Sequence, residues 1–598
     1  MGKETKTRDQ IDSKYKWNIE AMYPDEEQWK SDYRMVEDKA KDFTAYSGRL
    51  GESPQVLLEA LQKKDNIWLI LERVYTYARM KKDEDNRVNK YQAMSDKAGT
   101  LIAKTSSYLS FFIPELLEIP EDKLRSFMNA EEGLKIYEHA INEVLREKAH
   151  VLSKPEENLM AQFSEISGST NDVFSMINNA DIKFGSIIDE DGDEVEVTHG
   201  RYIGFMESHD RRVRKDAYEH MYNAFGNLKN TLSTTYNYNT KTDVITARIR
   251  KYGSAREAAL SGDNIPTEVY DNLIDTVNSR LGVLHRYVNV RRKMLKLDDV
   301  HMYDMYVPLV EMPKAEIPYG KALDMMRAGL APLGEQYLSK MNDGIGAGWI
   351  DVYENEGKTS GAYSFGSYDS MPYILLNYNG KLKDVFTIVH EMGHSMHSYY
   401  TRKNQPFLYG GHSIFTAEVA STVNEALLMH HLLDNCNDPE EKKYLLNLYI
   451  EEFRTTLFRQ TMFAEFEKLT HAAVENGEVL TADWLSEEYG KLNRKYYGDG
   501  VTYDSLIDLE WSRIPHFYNA FYVYKYATGY SAATAISSKI LKEGTPARDA
   551  YIEFLKTGES DFPIELLKIA GVDMSKPEPI IQAMDAFEKL IVEIEKLV

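Results

Sequence analysis

Val385-Phe386-Thr387-Ile388-Val389-His390-Glu391-Met392-Gly393-His394-Ser395-Met396-His397 decides how the rest of this chain is read. The stretch carries H-E-x-x-H inside an amphipathic helical pattern. On a helix, residues four apart stand about 40° apart around the axis, one turn above each other. His390 and His394 therefore aim two imidazoles at one point, and Glu391 reaches the space beside it. That is the geometry of a zinc site with an adjacent general base. Two histidines can also share a helix face by accident, so the motif needs partners elsewhere in the chain.

The composition sets the frame for those partners. The chain has 598 residues, 43% hydrophobic and 28% charged, an ordinary globular balance with ample material for a core. Its net charge of -23 argues against a nucleic-acid or anionic-membrane binder, because neutralising phosphates needs a basic face. The single cysteine, Cys436, excludes an intramolecular disulfide and suits a reducing compartment. The start, Met1-Gly2-Lys3-Glu4-Thr5-Lys6, is polar and offers no signal core, and no run approaches the length of a membrane span. The expectation is a cytoplasmic protein, with its oligomeric state open.

Around the motif, the background is helical. Residues 7 to about 160 carry helical periodicity, with Pro54 opening a long pattern through Leu57, Leu61, Trp68, Leu71 and Tyr75 and another helix from about Lys135 to His150. Alternation on both sides of Asp189-Glu190-Asp191-Gly192-Asp193 predicts a β-hairpin, and the calcium-loop spacing fails there. Helical periodicity returns from about Gly204 to about Lys340. Gly344, Gly346 and Gly348 then mark a loop; Trp349 breaks the phosphate-binding fingerprint. Gly361 to Gly366 and Pro372 to Tyr378 are short, aromatic or branched, and bounded by Gly and Pro, so they predict two strands just before the motif helix. An edge strand there can pair with an extended peptide and hold it across a metal. Downstream, helices are expected from near Phe415, from about Lys442 to Asn476, from Thr481 to Tyr497 and from Pro579 to Val598. The last has Met584, Phe587, Ile591 and Ile594 in register. The domain expectation is a mostly helical region over 1–200 and a catalytic region over 201–598.

A catalytic zinc site takes three protein ligands and keeps one open position. His397, His412, Glu418 and Glu425 are the downstream candidates for the third. His397 and Tyr400 stand where a metzincin needs Gly and His, so that class is excluded. His397 would have to bend back along its own helix. Glu418 comes from a second helix, and Ala420, Ser421 and Gly393 allow the two helices to approach closely. Glu425, two turns on, suits the role of accepting a ligand histidine's other N–H.

His390 to His397 together with Ala417-Glu418-Val419-Ala420-Ser421-Thr422 resembles the zinc oligopeptidases related to thimet oligopeptidase, and most closely their oligoendopeptidase F branch. Gly361-Ala362-Tyr363-Ser364, Pro372 to Gly380 and Ile514-Pro515-His516-Phe517-Tyr518 match it too, so the resemblance covers about 200 to 590, with a less distinctive match before it. It implies a mainly α, elongated, two-lobed zincin-like peptidase with a deep channel and a small β-sheet beside the H-E-x-x-H helix. It further implies one Zn2+ held by His390, His394 and Glu418, Glu391 as the base, and short peptide substrates. A histidine and tyrosines of the late segment are implied to bind substrate and stabilise the oxyanion. These fall on His516 and Tyr524, with Tyr522 next and Tyr518 as a further candidate. Gly361, Ala362, Tyr363, Tyr518, Tyr522 and His412 form the candidate substrate-binding set.

Two other function classes compete with a zinc endopeptidase. A zinc carboxypeptidase or dipeptidase of similar helical build would differ in its need for a free peptide terminus. A non-catalytic helical scaffold with a structural metal would show four protein ligands and no base. The three ligands plus Glu391 favour catalysis.

Overall fold

The computed structural model describes residues 5–310 and 316–597. The polar start at Met1 to Glu4, residues 311–315 of the long helical reading and Val598 of the tail helix lie outside the described residues. The chain is mainly helical, with two small sheets. It divides into two compact units that alternate along the sequence. The first comprises 1–149, 315–428 and 536–571; the second comprises 150–314, 429–535 and 572–598. A boundary at 200/201 falls inside the second unit.

In the first unit, the helix Pro54–Glu84 starts where the pattern predicts. Ser53 accepts the Val56 N–H at 3.3 Å, and Pro54, which has no N–H to lose, takes the first turn. Trp17, Trp29, Leu57, Leu71 and Val74 belong to one buried cluster that also takes in Tyr373 and Leu375 of the sheet. That sheet has three strands, β3 (Ile350–Asp351), β4 (Tyr363–Phe365) and β5 (Tyr373–Leu375), in the order β3-β5-β4. β5 pairs in parallel with β3 and antiparallel with β4, with Ser364 opposite Ile374. The N–H groups of Ile374 and Leu376 go to β3. Tyr373 and Leu375 therefore bond β4, and Ser364 turns its N–H and C=O to the free edge. The sheet is anchored by a buried charge cluster: Asp351 takes Lys358 at 2.7 Å as well as Arg8, and Lys358 also donates to the carbonyls of Tyr353 and Leu376.

The two expected strands are present; β3 is a third. Gly344 and Gly346 lie in the helix Gly334–Gly346 rather than in a loop. The ring of Trp349 packs where a Gly344 side chain would stand, with a Cβ there only 2.4 Å from the indole. The motif helix, Leu382–Asn404, runs beside β4. Its far end is packed by late sequence: the His397 ring lies 5.4 Å from that of Phe554, and the Thr401 hydroxyl donates to the Leu555 carbonyl at 3.0 Å.

In the second unit, the expected hairpin forms from β1 (Ser186–Ile188) and β2 (Glu194–Glu196) with Ile187 opposite Val195. The expected Lys442–Asn476 helix is one rod, Pro439–Glu452 continuing through a π-helical turn, Phe453–Phe458, into Arg459–Glu475. Glu510, fully buried, gathers Arg459, Tyr222 and Tyr489 around its carboxylate. The tail helix Glu578–Glu595 buries Met584, Phe587, Ile591 and Ile594 completely.

Candidate metal centre and catalytic site

The motif helix is fixed at its start by Asp384, whose carboxylate accepts the N–H groups of Asn379 at 2.9 Å and Lys381 at 3.0 Å. Val385, Ile388, Val389, Met392 and Met396 face the core with no exposed surface. This leaves His390 and His394 on the half-buried side, their Nε2 atoms 3.2 Å apart. The second helix, Ile414–Asn435, brings the Oε2 of Glu418 to 3.3 Å from His390 Nε2 and 3.4 Å from His394 Nε2. Zinc–ligand bonds of about 2.0–2.1 Å in tetrahedral directions put ligand atoms about 3.3–3.4 Å apart, so this near-equilateral triangle has the size such an ion needs.

Close approach of the two helices makes the triangle possible. A Cβ on Gly393 would lie 2.6 Å from the Ala420 carbonyl oxygen and 2.6 Å from Ser421 Cα, both backbone atoms. Asn424 fastens the pair, donating to the Val389 carbonyl at 3.3 Å, with its amide also joined to the Tyr337 hydroxyl at 3.1 Å. Ser421 donates to Glu418 Oε2 at 3.0 Å. On the other face of His390, Nδ1 meets Glu425 Oε2 at 3.2 Å, which sets the ring's orientation and its tautomer.

The charges of the site call for a cation. Burial alone would lower the His390 pKa, but Glu418 and Glu425 hold it well above the usual histidine value. Burial alone would raise the Glu418 pKa, yet His390 and His394 hold its carboxylate far below the usual range. A proton on His390 can fill that role, and a divalent ion would displace it. Glu391 stands apart from the triangle. It is buried, which pushes its pKa up despite the pull of His390 and His394, and it accepts the N–H of Ser364 at the free edge of β4. Ser364 also meets Ser395 of the motif helix, hydroxyl to hydroxyl, at 2.8 Å.

The other candidates fall in three places. Gly361, Ala362 and Tyr363 lead into β4. Asn377 holds the Gly361 carbonyl at 2.8 Å, and Tyr363 spends its hydroxyl on Asp83 at 2.8 Å. His412 stacks on His397 with ring centroids 3.7 Å apart, and burial lowers both, His412 to about 3. Among the described residues, neither of these histidines joins the His390–His394–Glu418 group. In the second unit, His516, Tyr522 and Tyr526 form a half-buried cluster with centroid separations of 6.2, 6.0 and 5.5 Å. Tyr524 is fully buried against Tyr270, and Tyr518 stacks on Phe174 while its hydroxyl meets that of Thr235 at 2.8 Å. Sequence reasoning passed over Tyr526 as a site residue, and over Asn424, Tyr337 and Ser395. Asn424 is adjacent to Glu425 in the helix, a usable signal; Tyr337 has none.

The chain as a whole is similar to known proteins. Residues 204–586 match the family described as Peptidase family M3, and residues 115–184 match Oligopeptidase F. The chain belongs to peptidase family M3. It is 51% identical over 590 residues to oligopeptidase PepF of Bacillus subtilis (strain 168), covering 99% of this chain and 88% of that one. The crystal structure of a putative peptidase from Chlamydophila abortus superposes with a TM-score of 0.95 at 36% identity, covering 100% of both chains. That of oligoendopeptidase-F from Enterococcus faecium gives 0.75 at 37% identity, over 96% of this chain and 99% of that one. This M3 chain is therefore a metalloendopeptidase of mainly helical fold, acting on peptides. Among its described residues, no helix is long and apolar enough to cross a membrane.

Proposed function

We propose that this M3 peptidase is a zinc-dependent endopeptidase that hydrolyses internal bonds of short oligopeptides. The observation that carries the reading is the triangle of His390, His394 and Glu418 with edges of 3.2–3.4 Å beside the buried carboxylate of Glu391. These three residues would hold one Zn2+, which when bound would supply Lewis acidity and bring the pKa of water at the site down to about 7.

The chain's own groups then divide the work. The edge of β4 offers the Ser364 carbonyl to the substrate backbone and keeps it extended past Glu391, whose carboxylate holds the Ser364 N–H. Glu391 takes a proton from the attacking water as its oxygen bonds to the scissile carbonyl carbon. It returns that proton to the departing amine as the C–N bond breaks. Glu425 keeps His390 in the tautomer that leaves Nε2 free to ligate. His516 and a late-segment tyrosine donate hydrogen bonds to the developing oxyanion. Tyr522 and Tyr526, half-buried beside His516, support that role better than the fully buried Tyr524. Burial lowers the His516 pKa, so its imidazole acts as a neutral donor near neutral pH. Restriction to short peptides is supported by the relatives' names, and cytoplasmic residence by the lone Cys436.

The test is Glu391→Gln, which leaves all three ligands in place. Zinc content should stay at one per chain while cleavage of a quenched-fluorescent peptide falls about 100- to 10,000-fold. Full activity would refute the assignment. Peptides of graded length with both ends blocked separate an endopeptidase, which cuts them, from a carboxypeptidase or dipeptidase, which does not.

A further inference from the structure

Glu467, on the helix Arg459–Glu475, has no exposed surface, and the chemistry above makes no use of it. Its Oε1 accepts the N–H of Phe521 at 2.9 Å, and its Oε2 has no hydrogen-bond partner among the described residues. Burial, reinforced by Asp243, pushes the carboxyl well above its usual range, which favours its neutral form. An apolar side chain would fill this place with no polar atom to satisfy. What the carboxyl provides is a hydrogen-bond acceptor at one backbone position.

That position is unusual. Phe521 has φ +55°, in the left-handed region that an L-residue with a bulky side chain enters at a cost. Four non-glycine residues share a positive φ among the described residues, and Phe521 is the buried one. The helix face that holds its N–H also holds its ring. His471, one turn after Glu467, packs its imidazole 4.4 Å from the Phe521 ring, and Tyr270 meets that ring at 5.6 Å. The His471 Nδ1 is fixed on the Glu467 carbonyl oxygen at 2.8 Å. Phe521 itself stands between His516 and Tyr522, so the sign of its φ sets the direction in which the chain carries Tyr522 and Tyr526 away from His516.

We infer that Glu467 is a positioning residue: its hydrogen bond to the Phe521 N–H locks a left-handed turn that sets Tyr522 and Tyr526 against His516. The inference rests on the proposed role of that His/Tyr cluster at the substrate. It predicts a defect in kcat that follows the acceptor rather than the charge.

Three variants of the full-length, zinc-loaded chain test it on a blocked quenched-fluorescent peptide. Glu467→Gln keeps a neutral acceptor of the same length and should hold kcat within about two-fold. Glu467→Met keeps the volume without the acceptor and should lower kcat at least about tenfold, with KM and zinc content little changed. If Glu467→Met does not accumulate folded, Glu467→Asp withdraws the acceptor by one methylene and should lower kcat in the same direction. In a His516→Ala/Tyr522→Phe/Tyr526→Phe background, the loss on replacing Glu467 should vanish, because no polar group of the cluster remains to position. Unchanged kcat in Glu467→Met, or in Glu467→Asp where that variant is needed, overturns the inference, as does a Gln variant no better than Met. If His516→Ala and Tyr522→Phe themselves leave kcat intact, the proposed role of the cluster falls, and the inference with it. That outcome is distinct from a working cluster that ignores Glu467.

Discussion

Replacing Gly393 by alanine tests whether backbone contact between two helices sets the metal centre. The added Cβ would stand 2.6 Å from the Ala420 oxygen, 2.6 Å from Ser421 Cα and 2.8 Å from Ser421 N. Carbon contacts are comfortable at about 3.5 Å, so the helix Ile414–Asn435 must retreat by about 0.9 Å, and no side-chain rotation can relieve it. Glu418 lies one turn before Ser421 and retreats with it. Metal–ligand distances tolerate about 0.2 Å, so a shift of this size removes the carboxylate as a good ligand while His390 and His394 stay in place. Overpacking of this kind costs about 1–3 kcal/mol, and the variant should still fold. Zinc affinity, measured by competition against a chromophoric chelator, should fall by at least about tenfold, and peptide cleavage at limiting zinc should fall with it. Gly320→Ala is the control: Gly320 lies in the helix Tyr319–Gly329, and a Cβ there meets nothing within 4 Å. It should leave affinity unchanged and stability equal or slightly higher. A Gly393→Ala protein with zinc affinity within about two-fold of the parent would refute the idea that this contact places Glu418.

Glu425→Ala should weaken zinc binding about 10- to 100-fold without abolishing it, measured by the same competition, because the ligands remain and only the hold on His390 Nδ1 is lost. Tyr522→Phe should lower kcat about 100- to 1000-fold if its hydroxyl is the oxyanion donor. Tyr524→Phe should mainly alter stability, and the kcat values of Tyr522→Phe, Tyr524→Phe and Tyr526→Phe side by side decide which tyrosine acts. Glu510→Gln should destabilise the chain by about 3–5 kcal/mol in urea melts, since it leaves the largely covered Arg459 without its counter-charge. Burial would raise the Glu510 pKa, but Arg459 and Arg513 bring it down to about 2. Its folded value thus lies below the unfolded one, so its stabilising contribution is full above about pH 4.5 and is lost as pH falls towards about 2. The Glu510→Gln variant should show a correspondingly flatter acid limb.

The parts of this structure that the sequence revealed are those written in local periodicity. H-E-x-x-H and its helix needed only the 3.6-residue repeat. Glu418 on a second helix followed from small residues on both sides of a close contact. The tail helix followed from apolar residues spaced by three and four, and the hairpin from alternation about its Asp-Gly turn. What stayed hidden depends on distant residues. β3 has two residues, too few to alternate, and exists because Ile350 and Asp351 find β5. Gly344 stays helical because Trp349 covers it, which no propensity reports. Tyr522, Tyr524 and Tyr526 alternate like a strand, so the sequence could not tell which of them a helix starting at Tyr524 would bury. The compact units escape notice because their boundaries carry no composition change.

Those units also bear on how the enzyme is made. The three proposed zinc ligands have all been synthesised by residue 418, but the unit that holds them is completed only by 536–571, which supply Phe554 and Leu555 to the motif helix. At about 5–20 residues per second, a ribosome needs roughly 8–30 s to travel from 418 to 571. During that time the nascent chain carries His390, His394 and Glu418 without Phe554 and Leu555, which pack the far end of the motif helix. Prematurely terminated products ending before Phe554 would share this state. A chain ending before Phe554 should therefore hold its motif helix less firmly, because two of that helix's packing partners come late in the sequence.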